Sequence, residues 1–441
     1  MNGLARIREV AARNRNLRFT NRMHHITEEM LREAYCALKR NAASGVDEVT
    51  WHEYGDGMED RIKELHDRVQ SGRFRAMPSK RVWIPKPDGR QRPIGIAALE
   101  DKIVQQAVVW VLNQIYEVDF LGFSYGFRPE RNQHNAPDAI WVGIIQRRVT
   151  WVLDADIKSF FDTINHACLI KFLKYRIADL RMLRLIRKWL RAGVSEDGEW
   201  SRTEVGTPQG SVISPLFSNI YLHYVLDKWV QSWRTSKASG EVIIVRYADD
   251  FVMGFQYRGE AERFLEELKK RFAEYGLEIH GEKTRLIEFG RFVEENRAAR
   301  GDGKPETFDF LGFTHMCWRT RENNCFTIRR KTITKRFRAK IKEVRKELLR
   351  RREEPVPLVG KWLRSVVQGH FHYFAVRGNM KTLEVFRREL NKAWFFALRR
   401  RSHKAKTLTS DRMNRLIKTW IPQPKLMHPF PNQMLHVNYS R

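Results

Sequence analysis

Short, nearly continuous apolar runs alternate along this chain with longer stretches whose apolar residues recur every three or four positions. VTWVLDADI (149–157) is almost unbroken, the pattern of a strand buried on both faces. EVIIVRYADDFVMGF (241–255) places two such runs around an acidic turn. KRVWIPK, the turn Pro87-Asp88-Gly89 and RQRPIGI predict a β-hairpin over 80–97. Residues 1 to about 75 read as helices, broken at Ser44-Gly45 and Gly55. A further helix is predicted from about Leu99 to Val118, and helical spacing continues after the buried strand to about Arg191. SEDGEW reads as a tight turn on Asp197-Gly198. Ser214-Pro215 has the form of an N-cap with proline at N1, opening a helix to about Trp233. Over 260–275, Phe264, Leu265, Leu268 and Phe272 share one face. Glu266 with Lys270 and Glu267 with Arg271 stand four apart on the other, and Gly276 ends the helix. EENRAARGDGKPET (294–307) reads as a polar loop. From Arg329 the chain is expected to be helical and very basic, broken at Pro355 and Pro357, and irregular from Pro422. No internal repeat is present. Helices, a β-rich centre and a basic helical tail imply an α+β core with an appended helical domain.

Composition adds a partner. The 441 residues suit two or three domains rather than one core, and 13 Trp with 26 Phe supply ample apolar material. That excludes a disordered chain. Lys and Arg number 81 against 52 Asp and Glu, a net charge of +29. Such an excess predicts a polyanionic partner, most often nucleic acid, bound in a strongly salt-dependent way. Cys36, Cys168, Cys317 and Cys325 form no CxxC pair, so neither a zinc site nor a disulfide framework is expected. The N-terminus is basic without the apolar run of a signal peptide, which fits a reducing, cytoplasmic setting. The longest apolar stretch, Ala107 to Leu112, is far too short to span a membrane.

The residues suited to chemistry are acidic. Tyr247-Ala248-Asp249-Asp250 should lie at a hairpin turn, and Asp154 and Asp156 share one face of the buried strand. Adjacent carboxylates there repel each other and resist desolvation, so cations are expected to neutralise them. A few hard oxygen ligands suit Mg²⁺, and two ions about 4 Å apart can serve an in-line phosphoryl transfer. An ordinary polar turn is the competing reading of Asp249-Asp250. Lys86 and Arg92 flank the hairpin turn and read either as a triphosphate grip or as a solvated tip. Thr207-Pro208-Gln209-Gly210-Ser211 precedes a helix, where a glycine lets backbone approach a nucleotide.

Taken together, these segments resemble the reverse transcriptases encoded by group II introns. YADD, DIKSFF and TPQGSVISPLFSNIYL are similar to the palm motifs. IPKPDGRQRPIGI and SYGFRPERNQHNAPDAI are similar to the fingers, and DFLGF (309–313) to the primer grip. QGHFHYFAVRGN and WIPQPKLMHPFP are similar to the maturase, or thumb, and DNA-binding regions. The resemblance covers nearly the whole chain in order. It implies a right-hand polymerase of fingers, palm and thumb, with an antiparallel palm sheet and a C-terminal helical thumb/maturase domain. The expected division is 1–75 for an N-terminal extension and the start of the fingers, 76–325 for fingers and palm, 326–400 for the thumb and 401–441 for a basic DNA-binding-like tail.

The resemblance also implies roles. Asp156, Asp249 and Asp250 match the catalytic ligands of two Mg²⁺ ions, with Asp154 as a neighbour. Phe160, or else Phe161, matches the bulky residue beneath the sugar that selects dNTPs. Lys86 and Arg92 match triphosphate contacts, Gln209 a contact to the nascent pair, and Lys283 a residue near the incoming phosphates. The implied activity is RNA-directed DNA synthesis on intron RNA from a DNA primer, joined to maturase help in splicing. The alternatives are a splicing-only RNA chaperone or a host-adapted relative in defence or repair. Pro137 is unexpected in a helical segment and should shorten it. No Cys/His-rich nuclease region follows the tail, which implies an endonuclease-lacking form.

The tail carries the densest charge. RRKTITKRFRAKIKEVRKELLRRR spreads cations around a helix, with Trp362, Phe371, Tyr373, Phe374, Trp394, Phe395 and Phe396 further on. Cations track a phosphate backbone and aromatics can stack on unpaired bases, although most of these rings are expected in the core.

Overall fold

The structure, a computed structural model, describes residues 2–85, 91–196, 198–201, 205–207, 210–428 and 431. Lys86, the Pro87-Asp88-Gly89 turn, Asp197 and Gln209 lie outside the described residues.

The chain begins with helices α1 (Asn2–Arg13), α2 (Glu28–Ala37), α3 (Trp51–Gly55) and α4 (Met58–Gln70). Thr50 caps α3 in a reciprocal capping box with Glu53, which satisfies two backbone donors that would otherwise lack partners. The hairpin β1 (Ser79–Pro85) and β2 (Gln91–Ile96) follows, antiparallel from Lys80 opposite Ile96 to Pro85 opposite Gln91. Next come α5 (Leu99–Asp119), α6 (Asn135–Gln146) and β3 (Trp151–Ala155). Pro137 stands in the first turn of α6, where its missing N–H costs nothing, so it opens this helix rather than shortening it.

Helices α7 (Phe160–Thr163), α8 (His166–Lys174) and α9 (Leu180–Arg191) lead to the short strands β4 (Val194–Glu196) and β5 (Glu199–Ser201). The next helix is not continuous to Trp233 as expected. Helix α10 (Ser214–Leu222) passes through a π-helical turn, His223–Asp227, into α11 (Lys228–Ser236). Its cap position is Ile213, and Ser214 already lies in the first turn.

Strands β6 (Val242–Tyr247) and β7 (Asp250–Phe255) bracket the acidic turn, and α12 (Arg258–Glu274) buries Phe264, Leu268 and Phe272. The expected Glu266–Lys270 and Glu267–Arg271 pairs are replaced by Lys269–Glu266 and by Lys237–Glu267 from a neighbouring helix. After β8 (Arg285–Glu288) the supposed polar loop begins as helix α13 (Val293–Ala299).

A three-stranded sheet then forms from β9 (Phe308–Phe310), β10 (Phe313–Arg319) and β11 (Phe326–Thr332). The start of the expected basic helix, Arg329 to Thr332, is therefore strand. Arg330 is buried there against Asp138, 2.6 Å away, because β11 pairs with β10 beneath α6. Helices α14 (Thr334–Arg350), α15 (Val356–Phe374), α16 (Met380–Arg399) and α17 (Ser410–Trp420) complete the chain, with Pro355 capping α15 and Pro357 in its first turn.

The central sheet has the order β6-β7-β3-β8, all antiparallel. One face packs against α5, α8, α10 and α12 through Leu153, Ile244, Phe251 and Met253. The other packs against α6 and the three-stranded sheet through Val152, Val245, Val252 and Ile287. This two-sided burial is why its strands read as unbroken apolar runs. The chain folds into the expected α+β right-hand class, with this sheet as the palm.

Three hydrophobic cores organise the described residues. Ile7, Leu31, Leu65 and Phe74 share one core with the palm helices. Residue 325 lies within the β10–β11 hairpin. Met413 and Ile421 belong to the same core as Leu363 and Trp394.

Candidate active site

The acidic residues meet at one end of the central sheet. Tyr247 lies opposite Asp250 at the closed end of the β6–β7 hairpin. Between them Ala248 takes φ +56°, a left-handed conformation that tightens the turn. Asp154 sits within β3, opposite Val252 on β7 and Arg285 on β8. Asp156 lies just beyond the strand, where its carbonyl accepts from the His280 N–H at 2.8 Å. That places Asp154, Asp156, Asp249 and Asp250 within electrostatic reach of one another.

Burial pushes the Asp250 carboxyl up to about 7, with Asp249, Asp156 and Asp154 adding to the rise and Arg336 opposing it. Asp250 nevertheless stands exposed at the start of β7. Asp249 is also raised, first by burial and then by Asp156, against the pull of Arg92. Asp154 is pushed up to about 6, again mainly by burial, with Arg285 opposing at 3.7 Å. Asp156 is held by the ammonium of Lys283. Among the described residues, no three carboxylate, histidine or cysteine side chains gather tightly enough as they stand to hold a metal ion.

The substrate-side residues are only partly brought together. Arg92 on β2 is near enough to Asp249 to act on its carboxyl electrostatically. Lys283, itself solvent-exposed, reaches the carboxylate of Asp156. Lys86 and Gln209 lie outside the described residues. The described residues on either side of Gln209 in the chain are held in place. Thr207 donates its N–H to the Phe161 carbonyl at 2.8 Å, and Ser211 donates to Gln105 at 3.1 Å. Gly210, at φ +110°, lies so close to β2 that a Cβ would come within 2.8 Å of Ile94.

Phe160 and Phe161 differ in a way their sequence does not show. Phe160 is 2% exposed and packs edge-on against Phe161 and Tyr221 inside the core. Phe161 is half-buried beside the glycine-bearing loop. The helical turn at 160–163 turns Phe160 inward and leaves Phe161 nearer the surface.

Three further residues shape the site. Arg336 on α14 opposes the rise at Asp250, Arg285 pairs with Asp154, and Asp309 adds to the rise at Asp154. Only Asp309 lay in a recognisable motif, DFLGF. Arg336 is one cation among many in a basic run, and nothing in that run singles it out. The DFLGF loop is clamped from the helical domain. Tyr373 donates its hydroxyl to the Leu311 carbonyl at 2.8 Å, and Arg336 and Tyr373 both lie against Gly312.

Residues 84–315, just over half of the chain, match the family described as Reverse transcriptase (RNA-dependent DNA polymerase). The chain is 38% identical over 222 residues to Protein YkfC of Escherichia coli (strain K12), covering 44% of this chain and 58% of that protein. It is 40% identical over 173 residues to the group II intron-encoded protein LtrA of Lactococcus lactis subsp. cremoris, covering 39% of this chain and 28% of LtrA. It is 40% identical over 181 residues to a 91 kDa protein in the cob intron of Schizosaccharomyces pombe, covering 41% of this chain and 22% of that protein. The chain thus spans less than two thirds of each of these relatives.

Proposed function

The chain belongs to the reverse transcriptase (RNA-dependent DNA polymerase) family, and from that premise we propose that it copies intron RNA into DNA and helps the same RNA splice. The observation that carries this reading is the meeting of Asp156, Asp249 and Asp250 at the mouth of the palm sheet, with Arg92 reaching Asp249 from the hairpin.

The acidic cluster fits divalent cations. Its donors are hard carboxylate oxygens, and burial, with Asp249, Asp156 and Asp154 beside it, raises the Asp250 carboxyl to about 7, a shift that a bound cation would oppose. A site with more negative charge than its neighbours neutralise is suited to a cation. Asp156, Asp249 and Asp250 would hold it, and two Mg²⁺, when bound, would activate a primer 3′-hydroxyl and offset charge on the departing pyrophosphate.

The protein's own groups supply position and selection. Arg92, with Lys86 across the turn, grips the triphosphate, a planar fork beside a point charge. Lys283 neutralises Asp156 and stands ready to turn towards a phosphate. Phe161, rather than Phe160, presents the ring that excludes a 2′-hydroxyl. Gly210 lets backbone come close to the nascent pair, which Gln209, its neighbour in sequence, contacts. The basic helices α14 to α16 grip RNA and the template–primer duplex through phosphate contacts. The chain works in the cytoplasm, and among the described residues no helix is long and apolar enough to cross a membrane.

The test is extension of a DNA primer on an RNA template with dNTPs and Mg²⁺. Wild type should extend, and Asp249→Asn/Asp250→Asn should not while keeping its fold and RNA affinity. Failure of well-folded wild-type protein to extend, with tight RNA binding retained, would overturn the polymerase reading and leave a splicing chaperone.

A further inference from the structure

One ion pair in the palm is wholly buried and has no part in the steps above. Arg246, on β6, donates from Nε to Asp227 Oδ1 at 2.7 Å and from Nη2 to Oδ2 at 2.5 Å, and both side chains are 0% exposed. Replacing such a pair with apolar side chains of similar volume is often neutral or stabilising, so its presence does not explain itself as a contribution to stability.

The remaining donor shows what the pair holds. Arg246 Nη1 reaches the Ala248 carbonyl at 2.9 Å and Asn219 Oδ1 at 3.1 Å. Ala248 is the left-handed residue between Tyr247 and Asp249. Asn219, 1% exposed on α10, donates in turn to the Gly126 carbonyl at 2.8 Å. Gly126 lies so close that a Cβ there would stand 2.3 Å from the Ala248 nitrogen. The backbone of Arg246 is held as well. Its N–H donates to Phe123 at 2.9 Å, and its carbonyl accepts from Tyr125 at 2.8 Å, so the 123–125 segment covers the open edge of β6. Asp227 ends the π-helical turn, a kind of irregularity found disproportionately at functional sites.

We propose that Arg246 is a positioning residue whose guanidinium, neutralised by Asp227, locks the Ala248 turn so that Asp249 and Asp250 face the cleft together. A non-glycine residue at positive φ costs about 1–3 kcal/mol and persists only where its surroundings over-determine it. Here α10, the 123–126 segment and the Arg246 side chain fix the turn from three sides. Lysine cannot replace the arginine. It lacks the planar fork needed to engage both Asp227 oxygens while also reaching the Ala248 carbonyl and Asn219. The inference rests on the polymerase reading for its purpose, and on geometry alone for the clamp itself.

The decisive variant is Arg246→Met/Asp227→Leu, which removes both charges and keeps the volume. Its melting temperature should stay close to wild type. Amide hydrogen exchange at Ala248–Phe251, measured without metal, should rise about tenfold as the turn loosens. Extension of a DNA primer on an RNA template should lose about tenfold or more in kcat, with template–primer affinity unchanged. If the double variant does not fold, Asn219→Ala, which leaves the ion pair in place, and Arg246→Lys should show the same rise in exchange. Wild-type exchange and wild-type kcat in a folded variant would overturn the clamp. If wild-type protein does not extend primers, the polymerase reading fails, and the exchange measurement by itself decides the clamp.

Discussion

The ammonium of Lys283 lies on the carboxylate of Asp156, although 127 residues separate them in the chain. Ile157 bridges to Ile279 just beyond β3, which brings the two segments side by side. Lys283 thereby balances one carboxylate of the crowded cluster and stands next to the space a triphosphate would fill. Its replacement by Ala should raise the KM for dNTPs by about tenfold, the worth of one charge-assisted contact of roughly 1.4 kcal/mol, with a smaller change in kcat. Steady-state extension at varied dNTP concentration checks this, and an unchanged KM would remove Lys283 from the substrate side.

The two adjacent phenylalanines should separate cleanly. Phe161→Ala opens the half-buried position and should admit ribonucleotides, measured as the ratio of kcat/KM for rNTP and dNTP. Phe160→Ala empties a fully buried site and should cost about 3–5 kcal/mol of stability without that gain in ribonucleotide use. Thermal melting beside single-nucleotide incorporation distinguishes them.

His223 gives a pH dependence of stability with a definite sign. It is 0% exposed, and burial, with Lys228, Arg246 and Arg128 nearby, pushes its imidazole down to about 3. Between the ordinary histidine range near 6.5 and that value, the unfolded chain binds a proton that the folded chain refuses. Stability is therefore lost as pH falls below about 6.5, by up to about 1.4 kcal/mol per unit from this residue. His223→Leu should flatten the fall. The difference in unfolding free energy between pH 7.5 and pH 5, from urea titrations, should be about 2 kcal/mol smaller in the variant. An equal fall in both proteins would show that His223 is not the group responsible.

Arg338, Lys342 and Lys346 are exposed and spaced by four along α14, so they form one cationic stripe. Changing all three to Gln should weaken binding of a structured RNA and reduce the slope of log K against log salt by about 2–3. Binding measured between about 50 and 200 mM salt checks the slope, and an unaltered slope would place the RNA on another face.

Much of the fold was legible because its signals are local. The runs at 149–157 and 241–255 are apolar on both faces, and the palm strands they form are covered on both sides. Gly276 ends α12 at φ +70°, the conformation glycine adopts most readily. The misreadings share a cause. RRKT looked like the start of a basic helix, yet it pairs with β10 and sinks Arg330 onto Asp138. The polar stretch after Glu294 looked like a loop, yet α13 forms there, with Arg319 from β10 bonded to Glu294 and Glu295. In each case a partner distant in sequence overrode local propensity.

The alternation of elements, the strands that carry the acidic turn, the grouping of carboxylates and the large positive charge could all be read along the chain. Those follow from periodicity and composition, which act residue by residue. Tertiary structure decided which phenylalanine is sealed in the core, that Lys283 answers Asp156, that Arg336 and Arg285 temper the acidic cluster, and that Arg246 and Asp227 hold the turn. Periodicity states that a face is buried but not what it is buried against, and a charge finds its partner only when the folded chain brings the two together.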